Sequence, residues 1–365
     1  PEKRPPAATP VLSVIGAGYL GATHAACMAE LGFTVIGVDV DPDKVASLSA
    51  GVVPFFEPDL DDLLKRNIDA GRLSFTTSFA EAGEAADVHF ICVGTPQQPG
   101  AYAADMSQVF GSISALAPHV SSTDVIVGKS TVPVGTADEI VDQLKNTAAS
   151  GVDVVWNPEF LREGFAVQDT LKPDRLVVGL ASERAEQVMR SVYASLIANG
   201  VPFLVTDFPT AELVKVAANS FLATKISFIN AMAEVCEAAG ADVTMLATAI
   251  GYDPRIGNRF LSAGLGFGGG CLPKDIRAFM ARNGTNSSAA VLSGVEAEPA
   301  EPENEDTDDC EADVMAGDCS WLSILTVLAE SRTNHISTDK GSDTASEVDD
   351  GRASKVRVHR VTKDI

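Results

Sequence analysis

One cysteine lies in a glycine-rich bend late in the chain, where its thiol could act as a nucleophile. Cys271 follows three glycines and is followed by Pro273, Lys274 and Asp275. Glycine lets the backbone approach a ligand closely and proline limits how the chain leaves the bend, so the sulfur would be presented from a fixed loop. A buried structural cysteine is the alternative, because free cysteines are often buried. The rest of the sequence favours covalent catalysis coupled to hydride transfer.

A dinucleotide-binding fingerprint lies more than two hundred residues before this cysteine. Residues 16–21 read Gly-Ala-Gly-Tyr-Leu-Gly between a predicted strand at 11–15 and a predicted helix at 19–31, and a second strand is predicted at 34–38. In this βαβ context the glycines allow a tight turn, close approach of a pyrophosphate and close packing of the helix. Asp39 ends the second strand and would accept hydrogen bonds from ribose hydroxyls, which favours NAD over NADP.

The first two hundred residues predict an α/β fold with a doubly wound parallel sheet. Apolar runs bounded by turn residues predict further strands at 88–93, 125–128, 152–156 and 176–178. Strands that alternate with helices form a parallel sheet with helices on both faces. Thr95 and residues 129–136 follow two of these strands, where such sheets bind ligands, so we expect them to line the cofactor cleft. Ordinary turn chemistry explains the same residues about equally well by spacing alone.

A segment at 210–239, without proline or internal glycine before its end, predicts one long helix. Lys215 and Asn219 lie four residues apart in it, so their side chains share one face and could converge on one ligand. A solvated lysine and a helix-facing asparagine are the alternative. We expect an all-α core built around this helix.

Composition and charge narrow the class of protein. The 365 residues carry a net charge of -23 and are 45% apolar, which predicts a soluble protein that binds neither nucleic acid nor an anionic membrane. No apolar stretch is long enough to span a bilayer, and residues 1–10 do not resemble a signal peptide, so we expect a cytoplasmic location. The six cysteines have no metal-ligand spacing, which predicts reduced thiols and no metal site.

The last part of the chain differs in composition from the rest. From residue 283 onward the sequence is acidic and largely aperiodic, which is typical of disorder. We therefore expect a Rossmann-like NAD domain at 1–206, a helical dimerisation core at 207–282 and an acidic tail at 283–365.

Eight motifs, in order along the chain, resemble those of the UDP-glucose/GDP-mannose dehydrogenase family, and most closely its members that oxidise UDP-glucose. They are GAGYLG at 16–21, DVDPDKV at 39–45, PFFEPDL at 54–60, VGTP at 93–96, KSTVPVGT at 129–136, NPEFLREG at 157–164, AELVKVAANSFLATKISFINA at 211–231 and GFGGGCLPKD at 266–275. The resemblance covers residue 11 to about residue 282. Gly270 stands where the family usually has serine, a change between small residues that the loop should tolerate.

The resemblance implies oxidation of the C6 alcohol of UDP-glucose to a carboxylate, with two NAD reduced per sugar. Cys271 would form a thiohemiacetal with the aldehyde and then a thioester, which water hydrolyses. Lys215 would stabilise the oxyanion with help from Asn219, while the other polar residues hold or activate water. The expected catalytic residues are Cys271, Lys215, Asn219, Asp275, Glu159 and Thr131.

The resemblance also implies two sets of contacts and a homodimer. The expected NAD contacts are Gly16, Gly18, Tyr19, Leu20, Gly21, Asp39, Lys44, Thr95, Thr131 and Glu163. The expected substrate contacts are Glu159, Phe160, Leu161, Lys215, Asn219, Arg255, Phe260, Phe267 and Gly268. Arg255 would be lent across the dimer interface to the substrate of the other subunit.

Complete family members carry a second Rossmann-like domain after the helical region, and residues 283–365 show no such pattern. Two alternatives therefore stay open. The substrate could be GDP-mannose or a sugar of the UDP-N-acetylmannosamine type, because the residues that select the base lie mostly in that domain. The chain could also be a truncated relative that binds NAD and dimerises without activity, because remote binding energy supports the chemical step.

Overall fold

The computed structural model describes residues 9–266 and 272–283, and side chains within the latter segment as far as residue 278. Phe267, Gly268 and Cys271 lie outside the described residues, as does the predicted tail after residue 283. The described strands are β1 (Leu12–Ile15), β2 (Val35–Val38), β3 (Leu73–Thr76), β4 (Val88–Ile91), β5 (Val125–Gly128), β6 (Asp153–Trp156), β7 (Leu176–Leu180) and β8 (Phe203–Thr206). The described α-helices are α1 (Tyr19–Glu30), α2 (Pro42–Ser49), α3 (Leu60–Asp69), α4 (Phe79–Ala85), α5 (Ser107–Leu116), α6 (Thr136–Leu144), α7 (Ala166–Leu171), α8 (Glu183–Val192), α9 (Ala194–Ala198), α10 (Phe208–Ala239), α11 (Val243–Gly251) and α12 (Leu272–Asn283).

The strands form one sheet in the order β3-β2-β1-β4-β5-β6-β7-β8. The four central strands β2, β1, β4 and β5 are buried along their whole length, which explains their apolar character on both faces. One apolar cluster lies on the face covered by α1, α3 and α8, and another lies on the face covered by α5 and α6. The predicted doubly wound α/β fold is confirmed.

The sheet differs from the prediction at one end. β7 runs antiparallel to β6, and β8 then runs parallel to β7. An antiparallel neighbour can start at the edge where the previous strand ends, without a crossover. The segment 157–175 therefore stays at the carboxyl edge of the parallel strands. The edge strands β3 and β8 were not predicted, because each is short and partly exposed.

The long helix predicted at 210–239 is α10, which begins two residues earlier. The Asp207 carboxylate caps it by accepting from the Thr210 N–H at 2.8 Å, and Pro209 lies in its first turn. Gly240 ends it in the left-handed conformation, with φ of 69°, a common way to end a helix. α10 packs against β6, β7, α11 and α12, so it joins the sheet to the helices that follow.

Three observations concern the described part of the chain alone. Its helices include none that is long and apolar enough to cross a bilayer. Its three cysteines, Cys27, Cys92 and Cys236, are buried and form no disulfide. No group of three or more acidic, histidine or cysteine side chains there could hold a metal ion.

Candidate functional site

The glycine turn after β1 is shaped for a dinucleotide. Gly16 has a φ of 89°, and a Cβ there would lie 2.8 Å from Val93 Cγ1. A Cβ on Gly21 would lie 1.7 Å from the Gly16 carbonyl oxygen, whereas a Cβ on Gly18 would meet no atom within 4 Å. Gly18 is the N-cap of α1 and no side chain caps the helix there, so its first-turn N–H groups are not bonded to a capping side chain. This turn therefore fits a pyrophosphate.

The Asp39 carboxylate lies beside this turn and is nearly buried. Oδ2 accepts from the Ala17 N–H at 2.9 Å and from Lys44 Nζ at 3.1 Å, and Oδ1 accepts from the Asp41 N–H at 3.1 Å. Two carboxylate oxygens offer about four acceptor positions. One position is left for a ribose hydroxyl, and the NAD contacts of Asp39 and Lys44 stay a prediction.

A short bridge connects α1 with the loop before α7. Tyr19 Oη donates to Glu57 Oε2 at 2.5 Å, and the same carboxylate accepts from the Gly164 N–H at 2.9 Å and the Val167 N–H at 3.3 Å. Burial and the bond to Glu57 raise the pKa of Tyr19 above its usual range. Glu163 lies exposed beside this bridge. Glu57 is one of the two acidic residues in the motif at 54–60, but no role was predicted for it.

Two pairs of side chains meet below the carboxyl edge of the sheet. Lys215 Nζ of α10 lies 2.9 Å from Glu159 Oε1, and Glu159 Oε2 accepts from the Leu161 N–H at 2.5 Å. One turn along α10, Asn219 Nδ2 donates to Asp275 Oδ2 at 2.8 Å. Lys215, Asn219 and Asp275 are all buried. A cation and an amide donor thus lie side by side, an arrangement that can stabilise an oxyanion.

The second pair continues into the predicted NAD cleft. Lys274 Nζ lies 3.1 Å from Asp275 Oδ1 and donates to Thr95 Oγ1 at 3.4 Å. Thr95 Oγ1 in turn donates to the Thr131 carbonyl at 2.8 Å. This chain of contacts, which we call the polar relay, runs from Asn219 through Asp275, Lys274 and Thr95 to Thr131. Residues that the sequence places far apart therefore meet at one site.

Two cavities flank these contacts. The larger, of about 680 Å³, contains the predicted residues Leu20, Glu159, Phe160, Leu161, Lys215, Asn219 and Phe260 in its wall. The smaller, of about 460 Å³, has Thr131, Lys274 and Asp275 in its wall. Asn219 lies in the wall of the larger cavity and Asp275 in the wall of the smaller one. Because a hydrogen bond joins these two residues, the two cavities lie on either side of the same contact.

Arg255 is placed differently from the other predicted site residues. Its side chain is 87% exposed and pairs with Asp253, with Nη2 2.6 Å from Oδ2, and it lies in neither cavity wall. Its predicted role across a dimer interface stays a prediction. Cys271 is outside the described residues, but it directly precedes α12, which supplies Lys274 and Asp275.

A buried network that the sequence analysis did not identify supports the loop that carries Glu159. Asn157 Oδ1 accepts from Lys129 Nζ at 3.1 Å and from Tyr193 Oη at 2.7 Å, and Asn157 Nδ2 donates to the Val177 carbonyl at 2.8 Å. Burial lowers the pKa of Lys129 and raises the pKa of Tyr193. These bonds fix the start of the loop two residues before Glu159. Both Lys129 and Asn157 lie in motifs that the sequence analysis quoted.

Gly18→Ala should weaken NAD binding without loss of stability. The new methyl group would occupy the open space beside the first turn of α1, where the pyrophosphate must approach the backbone. We expect the Kd for NAD, measured by calorimetry, to rise at least about tenfold, which corresponds to roughly 1.4 kcal/mol. Gly111→Ala in α5 also adds a methyl group in open space and should leave the Kd unchanged. Unchanged NAD affinity in Gly18→Ala would contradict this placement of the cofactor.

His24 should make the folded protein sensitive to mild acid. The side chain is buried in α1, and its Nε2 atom has no hydrogen-bond partner among the described residues. Burial, assisted by nearby Lys129, holds the pKa of His24 well below its usual value of 6.5. Below this pH the unfolded chain binds a proton that the folded protein does not, so the free energy of unfolding falls by up to about 1.4 kcal/mol per pH unit. We would measure the free energy of unfolding in urea at several pH values between 5 and 7. It should change less with pH in His24→Leu, by up to this amount per pH unit, and an equal dependence on pH would refute the assignment.

Comparison with known proteins agrees with the geometry. Residues 11–197 match the NAD binding domain of the UDP-glucose/GDP-mannose dehydrogenase family, and residues 209–297 match the central domain of that family. The UDP-glucose 6-dehydrogenase of Rhizobium meliloti is 46% identical over 272 residues, which are 74% of this chain and 62% of that protein. The chain therefore spans less than two thirds of this relative's length.

Two solved structures are also similar to this chain. The UDP-glucose dehydrogenase of the archaeon Pyrobaculum islandicum has a TM-score of 0.73 and 41% identity, and the match covers 79% of this chain and 68% of that one. The GDP-mannose dehydrogenase of Pseudomonas aeruginosa has a TM-score of 0.63 and 31% identity, with 78% and 67% covered. The NAD cofactor predicted from the glycine turn is confirmed by the family of the first domain. The chain belongs to the UDP-glucose/GDP-mannose dehydrogenase family.

Proposed function

We propose that this chain is the NAD-binding and catalytic part of an enzyme that oxidises UDP-glucose to UDP-glucuronate. The observation that carries the proposal is the meeting of Lys215, Glu159, Asn219 and Asp275 beside a glycine turn that fits NAD. The likeness to a UDP-glucose 6-dehydrogenase at 46% identity supports the choice of substrate. Because the chain spans only 62% of that relative, the activity of the whole relative is part of the proposal.

NAD, when bound, accepts one hydride in each of the two oxidations, and the glycine turn with Asp39 and Lys44 would hold it. The remaining chemistry belongs to side chains of this protein. The Lys215 ammonium, held by Glu159, stabilises the negative charge that develops on the C6 oxygen. Asn219, oriented by Asp275, adds a neutral donor to the same oxygen. The Glu159 carboxylate also lies in the wall of the larger cavity, where it can accept a proton from a bound hydroxyl or water.

Cys271 would carry the second half of the reaction. Its thiolate adds to the aldehyde carbon, and the oxygen takes up a proton to complete a thiohemiacetal. Loss of a hydride and a proton from that adduct leaves a thioester. Water then attacks the thioester carbon, the sulfur departs as the thiol, and the carboxylate is released. Together with the first oxidation, this sequence needs two hydride acceptors, that is two NAD, per sugar and a water molecule that reaches the thioester.

The stoichiometry of the reaction tests this proposal. We would add a limiting amount of UDP-glucose and excess NAD to the 365-residue chain, and to a chimera in which the C-terminal part of the Rhizobium meliloti relative follows residue 282. We expect two NADH per sugar at 340 nm, with UDP-glucuronate as the product. Cys271→Ala, which cannot form the thioester, should give no more than one NADH per sugar. Two NADH per sugar in Cys271→Ala would refute the covalent route.

The chimera separates the remaining alternatives. Activity in the chimera alone would mean that the site is intact and that the chain by itself is an NAD-binding relative without activity. GDP-mannose is the second candidate substrate, favoured by the structural likeness to the Pseudomonas aeruginosa enzyme, and UDP-N-acetylmannosamine is another. Turnover of either sugar in preference to UDP-glucose would overturn the substrate assignment. NAD binding with no turnover of any of these sugars would refute the activity itself.

We further propose that the chain forms a homodimer through the central helix. Phe221, Phe228 and Val235 lie at seven-residue intervals along α10, so they form one stripe, and they are 66%, 40% and 56% exposed. Helix α11 has no buried residue, and its Met245 is 63% exposed. A stripe of exposed apolar side chains on one helix is typical of a protein interface. We also propose a division at about residues 206 and 282 into a NAD domain and a dimerisation core, and a cytoplasmic location. The three cysteines of the described residues form no disulfide, which fits reducing surroundings.

Sedimentation velocity tests the dimer. Phe221→Glu together with Phe228→Glu should give a monomer, because two buried carboxylates without partners cannot be accommodated at an apolar interface. Leu204→Glu on the edge strand β8 adds a charge at another exposed apolar residue and should leave the dimer intact. A monomer in the unaltered chain at micromolar concentration would refute the proposal.

A further inference from the structure

The larger cavity has a charge opposite to that of the chain. Its wall contains five cationic side chains, Lys129, Arg162, Arg175, Lys215 and Arg259, and three carboxylates, Glu159, Asp169 and Asp174. The local balance is therefore +2, whereas the whole chain carries -23. A concentration of cations inside a cavity of an acidic protein attracts an anionic ligand.

Two of these cations already have anionic partners. Lys215 pairs with Glu159 at 2.9 Å. Arg162 forms a bidentate pair with Asp169, with Nε 2.9 Å and Nη2 2.6 Å from its two carboxylate oxygens, and Asp174 also acts on Arg162. The carboxylates of Glu159 and Asp169 are therefore engaged by Lys215 and Arg162.

Arg175 and Arg259 have no such partners. Among the described residues, neither side chain donates a hydrogen bond or takes part in an ion pair. The Arg175 guanidinium lies over the ring of Phe160, 3.8 Å from its centroid. Stacking holds the guanidinium in place and leaves the N–H groups at its edge available, and this planar fork matches the oxygens of a phosphate. Arg259 lies in the loop after α11, so the two cations reach the cavity from separate elements.

We propose that Arg175 and Arg259 form an anion-binding subsite that takes the diphosphate of the nucleotide sugar. The identity of the ligand rests on the proposed function, whereas the chemistry of the subsite rests on the two guanidinium groups. Arg175 is the anchor, because Phe160 fixes its orientation. Arg259 lies on a more exposed loop and adds charge. The subsite would hold the diphosphate in the same cavity as Lys215, which orients the sugar toward the catalytic residues.

Binding of UDP, measured by calorimetry with NAD at saturation, tests this subsite without any need for turnover. Arg175→Gln should raise the Kd for UDP by about tenfold to a hundredfold, the range expected for loss of a charge-assisted bidentate contact. Arg175→Lys keeps the charge without the fork and should give a smaller increase. Arg190→Gln is the matched control, since Arg190 also lies over a phenylalanine ring, that of Phe203 at 4.6 Å, but outside the cavity. The control should bind UDP as the unaltered chain does.

Further ligands identify what the subsite recognises. Inorganic pyrophosphate should compete with UDP, and GDP should bind with the same dependence on Arg175, because the subsite contacts no base. Uridine should bind at least tenfold more weakly than UDP. The proposal is overturned if Arg175→Gln binds UDP within twofold of the unaltered chain, if the unaltered chain does not bind UDP at 1 mM, or if Arg175 affects binding of glucuronate but not of pyrophosphate. Arg175-dependent UDP binding in a protein that forms no NADH would support the subsite and count against the proposed oxidation.

Discussion

Lys215→Ala should lower kcat by about 100-fold to 1,000-fold. This range is typical for the loss of one group that stabilises an oxyanion. Lys215 is buried and lies 2.9 Å from Glu159, so the substitution removes the only cation in contact with this carboxylate among the described residues. The carboxylate would then add negative charge beside an oxygen that is itself becoming negative.

The effect should appear in kcat more than in KM, because the ammonium acts mainly on charge that forms during the reaction. The measurement is the initial rate of NADH formation with the protein that proves active in the stoichiometry experiment. Lys225→Ala is the control, since Lys225 lies ten residues further along α10 and, among the described residues, bonds to the Ile256 carbonyl alone. A loss of less than tenfold in Lys215→Ala would remove Lys215 from the oxyanion role.

Glu212→Ala should lower the free energy of unfolding by roughly 3 kcal/mol. The Glu212 carboxylate on α10 accepts from the Gly135 N–H at 2.6 Å and the Ala137 N–H at 2.7 Å. Gly135 is the N-cap of α6 and has no side chain to cap the helix itself. The carboxylate therefore satisfies one buried and one partly buried N–H group and interacts favourably with the helix N-terminus.

Urea unfolding checks this value. Glu237→Ala is the matched control, because Glu237 lies exposed near the other end of the same helix and should change stability by less than about 0.5 kcal/mol. Glu212→Gln keeps one acceptor oxygen, so its free energy of unfolding should lie between those of Glu212→Ala and Glu237→Ala. Equal midpoints for Glu212→Ala and Glu237→Ala would show that the contact does not stabilise α6.

Sequence reasoning predicted the elements that are strongly patterned. The buried, mostly apolar strands β1, β2, β4 and β5 and the glycine turn at 16–21 have a local signature, since burial on both faces and a positive φ each restrict the residue type. The strands β3 and β8 were missed because half-exposed edge strands carry no continuous apolar run. The antiparallel direction of β7 was missed because the direction of a strand depends on the path of the connecting chain. The pattern of apolar residues carries no information about that path.

The site residues divide in the same way. Lys215, Asn219, Glu159, Asp275 and Thr95 were predicted from motifs and helical spacing. The structure pairs Lys215 with Glu159 and Asn219 with Asp275, and it connects Asp275 to Thr95 through Lys274. Their partners could not be derived from spacing, because the Lys274–Thr95 contact joins residues 179 positions apart. Glu57, Tyr193 and Arg175 were given no role, since a buried or stacked polar residue is recognised only when its neighbours are known.

The polar relay also has a consequence for the order in which the protein matures during synthesis. Domains generally fold as units while the chain emerges from the ribosome, N-terminal parts first. The glycine turn, Asp39 and Lys44 are complete within the first 44 residues, and the sheet is complete by Thr206, whereas Lys274 and Asp275 are added about 70 residues after the last strand. The dinucleotide site of a nascent chain can thus form well before α12 packs against α10 and completes the polar relay.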